Sequence, residues 1–185
     1  MIVALRRVDA RGTDRSALKA FLTSNTFPFH VVPRPTTAQI AENIDAGAWG
    51  DDDTQAFWIE AARDPHAGLV RLQDIHDPTV MLDLRLAERR RGHGLGTAAL
   101  RAATDHLFRT RSNVFRFEGT TREDNAAMRR TFLRCGWVQE AHYRDGWPTQ
   151  NGEAVASVGY SMIRRDWASG ATTPVPAFSP QPPRA

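Results

Sequence analysis

At 185 residues, 41% hydrophobic and 24% charged, the chain fits one domain of ordinary size that can bury a core without covalent staples. Its net charge of +3 is modest and its basic residues are spread along the chain, which argues against nucleic acid as a partner. No apolar run approaches the roughly 20 residues of a membrane helix, so no membrane partner is expected either. A lone cysteine, Cys135, rules out an internal disulfide, and with no export signal at the N-terminus the expected location is the cytoplasm.

Taken in chain order, Val3 to Val8 alternates apolar and basic residues and is expected to be a strand. Asp14 then caps a helix that carries Leu18, Phe21 and Leu22 on one face. Three prolines keep Thr26 to Pro35 out of regular helix, since each fixes φ and removes a donor. This loop, with Phe29 and His30 at its centre, is either a wall for a substrate or a lid over the core. Thr36 or Thr37 caps a second short helix with Ile40 and Ile44 inward.

Gln55–Ala62 and Gly68–Ile75 read as a hairpin turning through Arg63-Asp64-Pro65-His66, and a third strand follows over Thr79–Leu86, so an antiparallel meander is expected. After a helix ending near Arg109 come a strand, Val114–Glu118, and a helix from Asn125 that Gly136 ends. Two last strands, Trp137–Arg144 and Val155–Ile163, flank a loop over Asp145–Gly152. From residue 168 prolines dominate, so the reading is a domain over 1–167 and a disordered tail over 168–185.

The stretch that carries chemistry is Arg91-Gly92-His93-Gly94-Leu95-Gly96-Thr97, between the third strand of the meander and a helix. Three glycines strip side chains from the backbone, and the first amides of the helix have no intrahelical partner. Helix dipole and free N–H groups both favour an anion such as a phosphate there, and Arg89, Arg90 and Arg91 add positive charge.

The Arg-x-x-Gly-x-Gly turn ending at Gly96, the strand order, and the later segment Asn125-Ala126-Ala127-Met128, Phe132, Gly136-Trp137 resemble the GNAT superfamily of acetyl-CoA-dependent N-acetyltransferases over residues 3–167. The ending Tyr143-Arg144-Asp145, Gly152, Tyr160-Ser161-Met162 and Trp167 looks like the branch that includes ribosomal-protein N-terminal acetyltransferases. The resemblance implies an α/β (α+β) fold with a mixed, mostly antiparallel twisted sheet of about seven strands and helices on both faces. It implies acetyl-CoA as cosubstrate, a primary amine as acceptor, and a monomer or homodimer.

It further implies that the backbone of Leu84, Arg85 and Leu86 holds the pantetheine arm, that amides from Arg91 to Thr97 hold the pyrophosphate, and that Asn125 bonds the pantetheine through its amide or simply caps its helix. A base must take the amine proton; Glu118, placed at the end of its strand, is the first candidate and Asp83 the second. A backbone N–H near Leu86 would polarise the thioester carbonyl. The position that is often a tyrosine acid in this family is Phe132, which has no proton to give. The six histidines and the cysteine show no metal-ligand spacing, so no metal is expected.

Two other readings stand beside this one. Gly94-x-Gly96-x-x-Ala99 with Glu118 downstream also fits a dinucleotide-binding oxidoreductase, but the preceding meander leaves too few alternating units for a doubly wound sheet. A domain that binds or senses acyl-CoA without turnover is the other, and Phe132 favours it.

Overall fold

Burial along single strands dictates the architecture. In β2 (Thr54–Ala61), Ala56 and Trp58 pack into one apolar cluster while Phe57 and Ile59 pack into another. A strand apolar on both faces has to be covered on both, and helices do this here. The computed structural model describes residues 2–176. Its elements are β1 (Val3–Arg7), α1 (Arg15–Ser24), α2 (Thr37–Asp45), β2, β3 (Asp64–Gln73), β4 (Thr79–Leu86), α3 (Leu95–Thr110), β5 (Arg116–Arg122), α4 (Ala126–Arg134), β6 (Val138–Pro148), β7 (Ala154–Ile163) and α5 (Arg164–Ser169).

The seven strands form one sheet in the order β1-β2-β3-β4-β5-β7-β6. β1 to β4 are the expected antiparallel meander. The β4–β5 pair is parallel, joined over the sheet by α3, and β7 lies between β5 and β6, antiparallel to both. One face carries α3 and α4 over Val70, Val80, Phe117 and Tyr160. The other carries α1 and α2, with Leu18, Phe21, Leu22, Ile40 and Ile44 packed on Trp58 and Leu69. This is the mixed, mostly antiparallel sheet with helices on both faces that the sequence led us to expect.

Several boundaries differ, each for a tertiary reason. The first hairpin turns at Ala62-Arg63, with Ala62 at φ 54, and Asp64-Pro65-His66 belong to β3. Pro65 is tolerated because β4 pairs with β3 only from Gly68 onward, so no ladder bond is lost there. β5 starts at Arg116, because the amides of Phe115 and Arg116 both bond the Pro78 carbonyl and bend the entry. The loop expected over Asp145–Gly152 is shorter, since β6 bulges between Tyr143 and Trp147 and then rejoins β7. Asp14 sits at the start of α1 without capping it; its carboxylate is drawn to Arg6 (3.0 Å) and the Asp9 amide (2.9 Å). Thr36 caps α2 in a reciprocal box with Gln39.

Of the stretch expected to be a tail, residues 177–185 lie outside the described residues. Thr173, within the described part, gives its N–H (2.8 Å) and hydroxyl (2.6 Å) to the buried carboxylate of Asp166.

Candidate active site

The site begins where two strands part. β4 keeps its pairing with β3 out to Leu86, but its pairing with β5 ends at Met81 opposite Glu118. Beyond that point one edge of β4 is open in the middle of the sheet. The Ala87 N–H bonds Ala67 on the β3 side. By the alternation of an antiparallel ladder, the backbone groups of Leu84 and Leu86 therefore face the gap while those of Arg85 face β3. Of the three residues expected to offer backbone to an extended ligand, two are oriented for it. The carbonyl of Leu86 is already held by the Arg91 guanidinium (2.9 and 3.1 Å), so the open donors are the amides of Leu84 and Leu86.

Next to this edge lies the glycine turn. Gly92 and Gly94 have φ of +79 and +80, and a Cβ on either would meet nothing within 4 Å, so bare backbone lines the space. Gly94 starts α3 without a side-chain cap, which leaves the amides of Leu95, Gly96 and Thr97 without partners among the described residues before Ala98 bonds Gly94. Leu95 buries its side chain in the core and His93 is exposed, so each offers the turn only its backbone.

The three arginines before the turn act otherwise than expected. Arg89 (2.9 Å) and Arg90 (3.6 Å) pair with Asp64, and Arg91 ties the turn to Leu86 and Thr26 with its guanidinium against the Phe27 ring. Of the three, Arg91 still lines the cleft, and further charge comes from Arg130 and Arg134 of α4, which with Thr131 line the same cavity of about 450 Å³. Their i, i+4 spacing on one helix was the sequence signal, and it escapes notice until α4 is seen beside α3.

A second cavity of about 470 Å³ opens on the α1/α2 side of the gap and shares Phe29, His30, Leu84, Arg85, Asn125 and Met128 with the first. The proline-rich loop is thus a wall of both. At the junction His30 Nε2 lies 3.1 Å from Asp83 Oδ1, and Asp83 Oδ2 accepts from Arg71 (2.9 Å) and Arg85 (3.0 Å). Burial pushes the Asp83 carboxyl up, but Arg85, His30 and Arg71 outweigh it and hold it well below the usual carboxylate range. Asp83 is therefore an ionised acceptor, which corrects its candidacy as a base: a carboxylate so held does not take a proton from an amine. Fixed as an acceptor, it selects the His30 tautomer with hydrogen on Nε2 and the lone pair on Nδ1. Nδ1 has no partner among the described residues.

Glu118 does not join this group. It is the third residue of β5 rather than its end, it stands level with Met81 where β4 and β5 are still paired, and Arg116, itself bonded to Glu140, holds its carboxylate. Neither cavity is lined by it. Asn125 caps α4 by accepting from Met128 (3.2 Å) and gives one amide hydrogen to Thr121 (2.9 Å) while lining both cavities. Phe132 is stacked on Tyr160 (4.8 Å between centroids, 12° between planes) and sets the tip of its ring against Gly119, where a Cβ would come within 2.7 Å of it. The Tyr160 hydroxyl bonds Gln139 and Arg129 and lines neither cavity. Cys135 is half-buried with its thiol on the Thr97 carbonyl, and burial pushes its pKa up. Among the described residues there is no group of three metal-ligating side chains, and no helix is long and apolar enough to cross a membrane.

An acetyltransferase (GNAT) domain model matches residues 3–138. No curated protein matches the sequence. Among solved structures, the spermidine N-acetyltransferase from Vibrio cholerae, in complex with CoA and spermine, is similar over 90% of this chain and 98% of its own, with TM-score 0.75 and 19% identity. The spermidine/spermine N-acetyltransferase SpeG from Vibrio cholerae, in complex with manganese ions, gives TM-score 0.71 and 18% identity over 91% of this chain and 96% of its own. These matches overturn the assignment to the branch of ribosomal-protein N-terminal acetyltransferases, because both of these similar structures are named as spermidine acetyltransferases. The residues that suggested that branch serve the fold: Tyr160 stacks on Phe132, Trp167 packs on Phe108, and Asp145 at φ 52 lies in the β6 bulge.

Proposed function

The chain belongs to the GNAT acetyltransferase family, and from that premise we propose that it transfers the acetyl group of acetyl-CoA to a primary amine of a small molecule by direct attack in a ternary complex. The observation that carries this is the parting of β4 and β5 beyond Met81, which leaves the amides of Leu84 and Leu86 open between two cavities. The pantetheine arm adds along β4 like a short strand, and the pyrophosphate sits on the amides of Leu95, Gly96 and Thr97 with Arg130 and Arg134 opposite. The acetyl carbonyl is polarised by the Leu84 or Leu86 N–H.

In the second cavity the amine nitrogen attacks the acetyl carbon, the new C–N bond forms, the C–S bond breaks, and CoA leaves as thiolate. The amine proton goes to Nδ1 of His30, whose ring Asp83 orients through Nε2. No tyrosine acid is used, since Phe132 stands at that position and a thiolate leaves without one. Domain limits follow the same reading: the catalytic unit ends beyond Thr173, which is bonded to Asp166.

The test is release of free thiol from acetyl-CoA on mixing with the protein and a panel of primary amines, with calorimetry of CoA binding alongside. Amine-dependent thiol release is expected. CoA binding without release under any amine would overturn transfer in favour of a CoA sensor.

A further inference from the structure

The cavity that takes the amine has a charge of the wrong sign for a polycation. Among the residues lining it the one carboxylate is Asp83, and it is shared by Arg71, Arg85 and His30. Two guanidiniums against one carboxylate leave the cavity positive. The recess at its mouth, where Pro148 to Asn151 meet His30, brings no acid to its lining; its one arginine, Arg122, is already paired with Asp124 (2.7 Å). An ammonium group placed here meets guanidinium at close range without a carboxylate of its own, which costs both Coulomb repulsion and desolvation.

The remaining lining is apolar and aromatic, with Phe29, Trp49, Met81 and Trp147 prominent. Arg71 lies against the Trp49 ring (5.1 Å), gives one nitrogen to the Ala48 carbonyl and one to Asp83, and keeps a buried Nε without a partner. Arg85 covers the same ring from 5.3 Å. Planar guanidiniums held by aromatic faces are suited to a second planar acid.

We infer that the acceptor is an amine carrying its own acidic group on an apolar or aromatic body, an amino acid being the simplest case, and not a polyamine. This rests on the acetyl-transfer reading. His30 and Arg71 bond the two oxygens of one carboxylate, so an amine at His30 leaves the acid of the same small molecule beside Arg71. The spermidine acetyltransferases that share the fold thus differ from this chain in the acceptor named for them.

The experiment compares phenylalanine and leucine with their carboxamides and with spermidine, by thiol release from acetyl-CoA. In parallel, calorimetry measures binding of the N-acetylated acid and the N-acetylated amide to CoA-loaded protein. The acids are expected to exceed the amides roughly ten- to a hundredfold in kcat/KM and in affinity, the effect of one charge-assisted contact. Arg71→Met should bring the acid-to-amide ratio near one, with Arg71→Lys in between, a ratio that a purely structural role for Arg71 would leave unmoved. Spermidine as the best acceptor, acids and amides on a par, or binding of neither would overturn the proposal. Tighter binding of the acetylated acid with no thiol released by any amine would instead strike the transfer reading and leave the anionic acceptor standing.

Discussion

The two cavities that meet at His30 are built from different material. The cleft over the glycine turn is mainly backbone: the open edge of β4, the unpartnered amides of α3, and bare glycine. The cavity on the α1/α2 side has a polar centre made of side chains, joining His30 of a loop, Arg71 of β3, and Asp83 and Arg85 of β4. A backbone site is preserved by any sequence that keeps the local conformation. A site of interlocked charges depends on each member. Loss of a side chain should therefore be felt most on the acceptor side.

The largest effect is expected for Asp83→Asn. Removing the carboxylate leaves two largely buried guanidiniums facing each other, and breaking a buried ionic group of this kind costs about 3–5 kcal/mol. The same residue sets a pH dependence. Its folded-state pKa is depressed, so its contribution is complete above the unfolded carboxylate value of about 3.9 and is lost as pH falls from there toward the folded value. Acid melts of the wild type should show this loss, and Asp83→Asn should flatten it. An unaltered melting temperature in the variant would break the comparison at its root.

Next comes His30→Gln, which keeps a polar side chain in the junction but cannot take the amine proton. Turnover should fall roughly a hundredfold or more, with CoA affinity unchanged. Glu118→Gln is expected to leave turnover close to wild type, since Arg116 holds that carboxylate away from both cavities. If Glu118→Gln abolishes turnover and His30→Gln does not, the proton passes through β5 after all.

The same contrast explains what could be read from the chain. The turn Gly92 to Thr97 was legible because glycine spacing, strand end and helix start are local facts, and β4 begins and ends where its alternation says. His30 and Asp83 stand 53 positions apart, and the prolines that mark the loop as irregular say nothing of which strand it meets. Glu118 was misplaced because the start of β5 depends on a carbonyl of the preceding loop, Pro78, which no propensity reveals. Two of the three arginines before the turn are not where adjacency in sequence suggests: Asp64 draws Arg89 and Arg90 away, while Arg91 stays on the cleft.

On the backbone side a smaller loss is expected from side chains. Arg130→Ala and Arg134→Ala should each weaken CoA about tenfold, chiefly at low salt, because their contribution is charge beside a phosphate rather than shape. Gly94→Val should weaken it further, by imposing a β-branched residue at φ +80 and filling the bare space over the turn. Dephospho-CoA and CoA titrated against the two arginine variants would show which phosphate each one serves.

The smallest effect concerns the end of the chain, and it separates composition from contact. By composition everything past Trp167 is dispensable, yet Asp166, buried, accepts both the N–H and the hydroxyl of Thr173. A chain ending at Trp167 leaves that carboxylate without those donors in a recess it shares with Glu140. The expected cost is about 1–3 kcal/mol, the penalty for a buried polar group left unsatisfied. A chain ending at Pro176 keeps both bonds and should melt within a degree or two of the full chain. Thr173→Val in the full-length protein isolates the hydroxyl from the amide and should fall between the two truncations, so a melting series of the three, read with CoA affinity held constant, fixes where the folded unit ends.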